Sequence, residues 1–196
     1  AVIDQRADGG TVIVMNPRTG GILAMASRPS YDPNRYEEAA ATPSLFQNPA
    51  ISAIYEPGST FKIVTMAAGI EERVVTPETV IDDTGILTLG GFTIRNWDRK
   101  ANGRITMTQA LERSSNIAAA SVAQRLGPER FGRYVTAFGF GSRTGIDLQG
   151  EEVGLVKRVG SAEWSLVDGV TNAYGQGIAV TPIQMATAMS AIANGG

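Results

Sequence analysis

The chain has 196 residues, of which 43% are apolar, so it is long enough to form one domain, or part of one, around a hydrophobic core. Its 17 basic and 19 acidic side chains give a net charge of -2, which excludes the basic footprint of a nucleic-acid-binding protein. The absence of histidine and cysteine excludes Ser-His-Asp triads, histidine bases, thiol nucleophiles and disulfides. Any catalysis must therefore use lysine, carboxylate, tyrosine or hydroxyl groups.

The first predicted elements are two β-strands, at residues 11–15 (TVIVM) and 21–27 (GILAMAS). Between them, Asn16-Pro17-Arg18-Thr19-Gly20 has a proline near its start and a glycine at its end, which predicts a hairpin turn. Residues 28–48 mix prolines with polar residues and predict a long surface connection. Because two strands alone do not form a stable sheet, we expect further strands of that sheet outside this sequence.

The rest of the chain is predicted to be largely helical. Residues 74–104 are rich in turns, with short strand-like pieces at 86–89 and 92–94. Capping boxes begin at Thr106 and Thr181, each of which has a glutamine three residues later. The predicted helices cover residues 59–70, 107–113, 116–126, 129–138 and 182–193.

The two ends of the sequence indicate a piece of a longer protein. The opening residues carry neither an initiator methionine nor a signal segment, and no apolar run approaches the roughly 20 residues that span a bilayer. Asn194 and Gly195 are typical of the cap that ends a helix. We therefore expect residues 1–196 to be a partial domain.

The first candidate for chemistry is Ser59-Thr60-Phe61-Lys62. A serine and a lysine at positions i and i+3 of a helix share one face, within mutual reach. A serine at a helix start also has free backbone amides beside it, and these can hold an oxyanion. A lysine made neutral by burial could take the serine proton. The alternative is a helix-capping serine with a lysine that points into solvent.

The second candidate is Ser114-Ser115-Asn116, between two predicted helices. A hydroxyl in this loop could relay a proton to a leaving group, and the asparagine amide could bind a substrate amide. The alternative is again a helix cap, because serine and asparagine both begin helices well.

Taken together, these two motifs and the phrases around them resemble a known family. The phrases YEPGSTFK, SSN and YGQGIAVTPIQMATAMSAIANGG are similar to the transpeptidase domain of class B penicillin-binding proteins. The opening GGTVIVMNPRTGGILAMASRPSYDPN and the later FGFGSRTGIDLQGE resemble the same domain, so the resemblance covers nearly the whole chain.

The resemblance implies a fold and a set of roles. The fold is of the α/β (α+β) class, the penicillin-binding-protein and serine β-lactamase fold, in which helices flank an antiparallel sheet. Ser59 resembles the acylated nucleophile, Lys62 its general base and Ser114 the proton relay. Asn116 resembles a residue that binds substrate, and Trp97 lies where some members place an aromatic side chain beside the cleft. No metal and no cofactor are implied.

The family's third motif, Lys-Thr/Ser-Gly, is absent from this sequence. Arg143-Thr144-Gly145 follows the other motifs in order, but in the family the third motif comes after the GQG segment. We therefore interpret 143–145 as a turn, and expect the third motif and three C-terminal sheet strands to lie beyond Gly196. Without them, we expect residues 1–196 alone to be unstable and to accept penicillin poorly.

The activity implied by the resemblance is D,D-transpeptidation of peptidoglycan stem peptides that end in D-Ala-D-Ala, through an acyl-enzyme at Ser59. β-Lactams would acylate the same serine. The parent protein is expected to be anchored at the extracytoplasmic face of the bacterial membrane, with a membrane glycan polymerase as partner and no nucleic acid. Two alternatives stay open: a serine β-lactamase, and a non-catalytic domain of the same fold that senses penicillin or acts as a scaffold.

Overall fold

The predicted hairpin is confirmed, with strand β1 (Gly10–Met15) antiparallel to strand β2 (Ile22–Arg28). The computed structural model describes residues 2–196, so residue 1 of the expected domain lies outside the described residues. The connection that follows β2 runs over the surface and contains two short 3₁₀ turns, Pro33–Ala39 and Pro43–Phe46. The hairpin and its connection therefore form as their local turn and strand signals predict.

Seven α-helices lie within residues 2–196, of which five are close to predicted helices and two short ones, the first and the sixth, were not predicted. They are α1 (Pro49–Ser52), α2 (Lys62–Glu71), α3 (Met107–Glu112), α4 (Asn116–Leu126), α5 (Pro128–Ala137), α6 (Asp168–Thr171) and α7 (Pro182–Ala193). Both capping boxes are present, because Thr106 pairs reciprocally with Gln109 and Thr181 with Gln184. Gly127, at a φ of 76°, separates α4 from α5. None of the helices within residues 2–196 is long and apolar enough to cross a membrane.

Four short strands lie between α2 and α3. They form two antiparallel pairs, β3 (Val80–Asp83) with β6 (Gly103–Thr106) and β4 (Ile86–Leu89) with β5 (Phe92–Arg95). The β4–β5 pair is confirmed, whereas β3 and β6 fall in a stretch that the sequence predicts only as turns. The reason is that β3 places Ile81 and Asp83 on its inner face, and a carboxylate breaks the apolar alternation that identifies a strand.

The main core surrounds α4, whose alanines let neighbouring helices approach closely. Ala118, Ala119 and Ala120 are fully buried. On the facing helix α2, a Cβ added at Gly69 would lie 2.6 Å from Val122 Cγ1, so only glycine permits this separation. A smaller apolar cluster joins the hairpin to α1 and α7. The architecture is the expected mixture of helices and antiparallel strands.

Candidate active site

Ser59 lies in a 3₁₀ turn, Gly58–Phe61, that leads directly into α2. The expected helix therefore begins as a tighter turn, and its α-helical part starts at Lys62. Gly58 has a φ of 57°, and its N–H donates to the Gly175 carbonyl over 3.0 Å. A Cβ added at Gly175 would lie 2.2 Å from Gly58 O, so the two backbones meet without room for a side chain. This contact fixes the turn while leaving Ser59 exposed.

The Lys62 ammonium nitrogen lies between the two candidate serines. Nζ is 3.1 Å from Ser59 Oγ, 2.9 Å from Ser114 Oγ and 2.6 Å from the Ser114 carbonyl oxygen. The predicted contact of Lys62 with Ser59 is confirmed by these distances, and Ser114 contacts Lys62, although no hydrogen bond among the described residues joins Ser114 directly to Ser59. The catalytic roles of the three residues stay predictions.

Lys62 is 1% exposed, which is unusual for a lysine. Burial lowers the pKa of its ammonium group from 10.5 to about 8, because the charged form loses hydration. Among the ion pairs between described residues, none joins a carboxylate to Lys62 and so favours the charged form. About a tenth of the amine is therefore neutral at pH 7, far more than for an ordinary lysine, and the neutral form is the one that a general base requires.

Ser114 has a left-handed backbone, with a φ of 56°, at the C-terminal end of α3. Its N–H donates to Leu111 O and the Ser115 N–H donates to Ala110 O, which is the Schellman pattern of helix termination. Glycine usually occupies this position, because a side chain there is disfavoured. A serine in a strained conformation indicates a functional constraint, and here its hydroxyl and its carbonyl both contact Lys62.

Asn116 begins the predicted helix 116–126 and is therefore not part of the loop in which its motif was also expected. It is the first residue of α4, whose N-cap is Ser115. Its side-chain Nδ2 donates to the Arg95 carbonyl over 2.8 Å, and its N–H donates to Asn96 Oδ1 over 3.0 Å. No hydrogen bond within residues 2–196 joins it to Ser59, and its Oδ1 accepts none there, so this oxygen is available to a ligand. Its substrate-binding role stays a prediction.

Trp97 lies in the turn after β5 and is 79% exposed. It is adjacent in sequence to Asn96, which caps the first amide of α4. An indole ring this exposed is not a packing residue, although its role beside a cleft stays a prediction.

A buried polar cluster beside Ser115 was not predicted from the sequence. Asp83, at the end of β3, accepts hydrogen bonds from the Gly85 N–H and from three side chains: Asn96, Asn102 and Ser115. These partners lie up to 32 positions away in the sequence, so no local pattern could associate them.

A second unpredicted contact joins the segment just before Ser59 to the YGQG segment. Glu56 Oε1 accepts a hydrogen bond from the Gly177 N–H over 2.7 Å, across 121 positions. Together with the backbone contact between Gly58 and Gly175, it fixes the turn at two points.

Residues 143–145, predicted as a turn, are irregular backbone that directly follows a turn at 138–141 and a bend at Ser142. The Thr144 N–H and hydroxyl and the Gly145 N–H all donate to the buried carboxylate of Glu151. Gly145 has a φ of 81°, which glycine adopts readily. These contacts give the Arg-Thr-Gly sequence a structural explanation.

Comparison with known proteins agrees with this geometry. The family described as "Penicillin binding protein transpeptidase domain" matches residues 10–196. Stage V sporulation protein D of Bacillus subtilis is 42% identical over an alignment of 194 residues, and the match covers 96% of this chain and 29% of that protein. The peptidoglycan D,D-transpeptidase MrdA of Escherichia coli is 33% identical, over 94% of this chain and 32% of that protein. The chain thus spans under a third of the length of these relatives.

A solved structure gives the same result for the fold. Penicillin-binding protein 3 of Mycobacterium tuberculosis, complexed with aztreonam, superposes with a TM-score of 0.88 at 35% identity. The match covers 96% of this chain and 42% of that one. The predicted penicillin-binding-protein fold is therefore confirmed, and the chain belongs to the penicillin-binding-protein transpeptidase domains of class B.

Proposed function

We propose that this domain catalyses D,D-transpeptidation, in which a peptidoglycan stem peptide ending in D-Ala-D-Ala is transferred through an acyl-enzyme at Ser59. The observation that carries the proposal is a single buried amine, Lys62 Nζ, within hydrogen-bonding distance of both Ser59 Oγ and Ser114 Oγ. The alternative for this motif is a helix-capping serine with a lysine that points into solvent, and such a lysine would not contact both hydroxyls.

The hydrogen-bond partners of Lys62 support a route for the proton from Ser59 to Ser114. A neutral amine has two N–H groups and one lone pair. The Ser114 carbonyl oxygen can only accept, so it takes one N–H. One N–H and the lone pair remain for the two hydroxyls, which lets the amine accept the Ser59 proton while it donates towards Ser114 Oγ.

In the acylation step, Ser59 Oγ forms a bond to the carbonyl carbon of the penultimate D-alanine as its proton moves to Lys62 Nζ. The oxyanion that forms is held by the Ser59 N–H, which lies in the first turn of a helix and so lacks an intrahelical acceptor. Ser114 then gives its proton to the leaving amine of the terminal D-alanine and is reprotonated by Lys62. The C–N bond breaks, and the ester to Ser59 remains.

Deacylation reverses these roles. The amine of a second stem peptide attacks the ester carbonyl, its proton passes through Ser114 and Lys62, and Ser59 regains its hydrogen. A β-lactam would enter at the first step, with its ring amide opening onto Ser59 and its leaving nitrogen still tethered to the acyl group.

The β-lactamase alternative needs a base that activates water for deacylation. Among the described residues, no carboxylate forms a hydrogen bond with Ser59, Lys62 or Ser114. The acidic residue nearest to Ser59 in sequence, Glu56, accepts a hydrogen bond from the Gly177 amide. This arrangement favours aminolysis by a bound peptide over hydrolysis.

The proposal extends to the surroundings of the whole protein. Its substrates are stem peptides, and β-lactams are its inhibitors. We place it at the extracytoplasmic face of the bacterial membrane, where peptidoglycan is cross-linked, with a membrane glycan polymerase as partner.

The test combines penicillin labelling with peptide turnover, in the full-length protein. A fluorescent penicillin is expected to label the protein stoichiometrically, and Ser59→Ala to abolish the label. With a pentapeptide donor and a D-amino acid acceptor, mass spectrometry is expected to detect D-alanine release and the exchanged product.

Each alternative predicts a different result. Stable labelling without peptide turnover indicates a sensor or scaffold, and rapid hydrolysis of the penicillin indicates a β-lactamase. Labelling that persists in Ser59→Ala contradicts the proposed nucleophile.

A further inference from the structure

The most extensively bonded buried carboxylate near the candidate site is Asp83, which is 0% exposed. Its Oδ1 accepts from the Gly85 N–H and Asn96 Nδ2, at 2.8 and 2.9 Å. Its Oδ2 accepts from Asn102 Nδ2 and Ser115 Oγ, both at 2.7 Å, and from Asn96 Nδ2 at 3.0 Å. A buried carboxylate is costly unless its lone pairs are satisfied, and here neutral donors satisfy both oxygens.

These donors also keep the carboxylate charged. Burial by itself raises the pKa of Asp83, but hydrogen bonds from Asn102, Ser115, Asn96 and Gly85 outweigh it, so this pKa lies below its usual value. An ionised carboxylate only accepts hydrogen bonds, and the Ser115 hydroxyl has one hydrogen. That hydrogen is committed to Asp83, which leaves the Ser115 oxygen to accept from the Ala118 N–H as the N-cap of α4.

The segment 114–116 makes two sets of contacts: Ser115 and Asn116 bond to the Asp83 cluster, and Ser114 bonds to Lys62. Ser115 is bonded to Asp83, and the Asn116 N–H is bonded to Asn96, which itself donates to Asp83. Ser114, the preceding residue, has a left-handed backbone that directs its hydroxyl and carbonyl to Lys62. A strained backbone of this kind persists only where the residues around it are fixed.

We propose that Asp83 is a positioning residue for acyl transfer: through Ser115, its carboxylate holds Ser114 in the conformation that contacts Lys62. The proposal rests on the proposed function, because it assigns Asp83 to the same proton relay. Asp83 does not touch the reacting atoms. Its effect is on the distance between Ser114 and Lys62, on which the rate of proton transfer depends.

The variant Asp83→Asn tests this with almost no change in volume. The new NH₂ group takes the place of one of the two accepting oxygens. At the Oδ2 position it faces the donors Asn102 and Ser115, and at the Oδ1 position it faces the Gly85 N–H. At least one of these bonds is then lost. Glu151→Gln is the matched control, because Glu151 is also buried, at 7% exposure, and accepts only from Thr144 and Gly145.

The experiment measures acylation by a fluorescent penicillin over a range of concentrations, in the full-length protein. Asp83→Asn is expected to lower the limiting acylation rate by about 10²-fold, with a little-changed half-saturating concentration and a full labelling end-point. Partial unfolding would reduce the end-point and leave the rate of the folded fraction unchanged. Glu151→Gln is expected to keep the wild-type rate, even where it lowers the melting temperature.

A double-mutant cycle tests whether Asp83 acts through Ser115. Ser115→Ala is expected to slow acylation as well, and the double variant to be slower than Asp83→Asn by less than about threefold, because both changes break one connection. If the two single reductions in acylation rate multiply in the double variant, Asp83 does not act through Ser115. If Asp83→Asn does not fold, Asn102→Ala removes one donor at a half-buried position. A slower rate than that of Glu151→Gln then supports the proposal, and an equal rate overturns it.

Failure of this inference is distinct from failure of the proposed function. If the wild type labels, Ser59→Ala does not, and Asp83→Asn labels at the wild-type rate, Asp83 has no positioning role while the acyl-enzyme proposal stands. If the wild type does not label, or Ser59→Ala still does, the proposed function itself is wrong.

Discussion

The helices around α4 and the β1–β2 hairpin differ in how completely they bury their own apolar surface. Around α4, the alanines and Val122 are buried on all sides, and α2 packs against them at Gly69. In the hairpin, one face packs on α1 and α7, while Val12 on the other face is 62% exposed and Leu23, at the register shift, is 69% exposed. The region around α4 buries the side chains at its centre within residues 2–196, whereas the hairpin leaves apolar side chains exposed.

Ser59, Lys62 and Ser114 lie in or next to helices of the region around α4, whereas Trp97 lies in the turn after β5. Lys62 belongs to α2, and Ser114 precedes α4, so the contact between them depends on the packing of those two helices. The difference between the two regions implies that the geometry of the candidate site does not depend on the open face of the hairpin. Changes in the helical core should alter both stability and chemistry, whereas changes on the open face of the hairpin should alter neither.

The largest expected effect is that of Lys62→Met. This variant is expected to change the acylation rate without lowering the stability of the helical core. Methionine fills a similar space without a base, so acylation by a fluorescent penicillin is expected to slow by about 10²- to 10⁴-fold. Stability is expected to hold or increase, because a buried amine no longer needs to be desolvated.

The control for Lys62→Met is Lys157→Met, which removes a partly exposed lysine paired with Asp168. It is expected to leave the acylation rate unchanged. A strongly destabilised Lys62→Met protein would contradict the view that this lysine is kept for chemistry and not for packing.

The second prediction compares two leucine truncations. Leu126, at the end of α4, is 1% exposed, and Leu126→Ala is expected to lower the free energy of unfolding by about 2–5 kcal/mol. Leu23→Ala, at an exposed position of β2, is expected to change it by less than about 0.5 kcal/mol. Urea unfolding of both variants measures the difference, and equal losses would refute the contrast between the two regions.

The third prediction is a pH dependence caused by the burial of Lys62. Only the neutral amine accepts a proton, so acylation is expected to rise about tenfold per pH unit below the lysine pKa. The rate is expected to level off above a pH of about 8, the lowered pKa of Lys62. A rate independent of pH between 6 and 8 would exclude this lysine as the base.

The same shift predicts the sign of a stability change. Between about 8 and 10.5, the unfolded chain binds a proton at Lys62 that the folded chain does not. The contribution of this residue to the free energy of unfolding therefore rises with pH across that window and is lost as the pH falls towards 8. Lys62→Met should remove this slope, which urea unfolding at several pH values would measure.

Local features of the fold could be predicted from the sequence because their causes are local. The β1–β2 turn, the two capping boxes and the helix 116–126 depend on residues within a few positions of one another. The contact between Ser59 and Lys62 is of the same kind, since the two residues are three positions apart.

Features that depend on distant residues could not be predicted in this way. Asp83 is joined to Asn96, Asn102 and Ser115 across 13, 19 and 32 positions, and these bonds exist only because β3 pairs with β6 beside α4. The orientation of Asn116 towards Arg95 has the same origin. The burial of Lys62 likewise depends on helix packing and not on its neighbours in sequence.

The smallest expected effect concerns a cap at the edge of the helical core. Thr106 Oγ1 accepts from the Gln109 N–H, and Gln109 Oε1 accepts from the Thr106 N–H, so Thr106→Ala is expected to cost about 1 kcal/mol of stability. Thr136→Ala is the control: it removes an exposed threonine of α5 whose hydroxyl donates only to Gly132 O, and should change stability by less than about 0.5 kcal/mol. The expected cost of Thr106→Ala lies between those of Leu126→Ala and Leu23→Ala. Urea unfolding of these three variants and of Thr136→Ala would therefore rank the stability contributed by the interior of the helical core, by its edge and by the exposed part of the hairpin. A cap that costs as much as Leu126→Ala would mean that the helical core depends on its ends as much as on its packing.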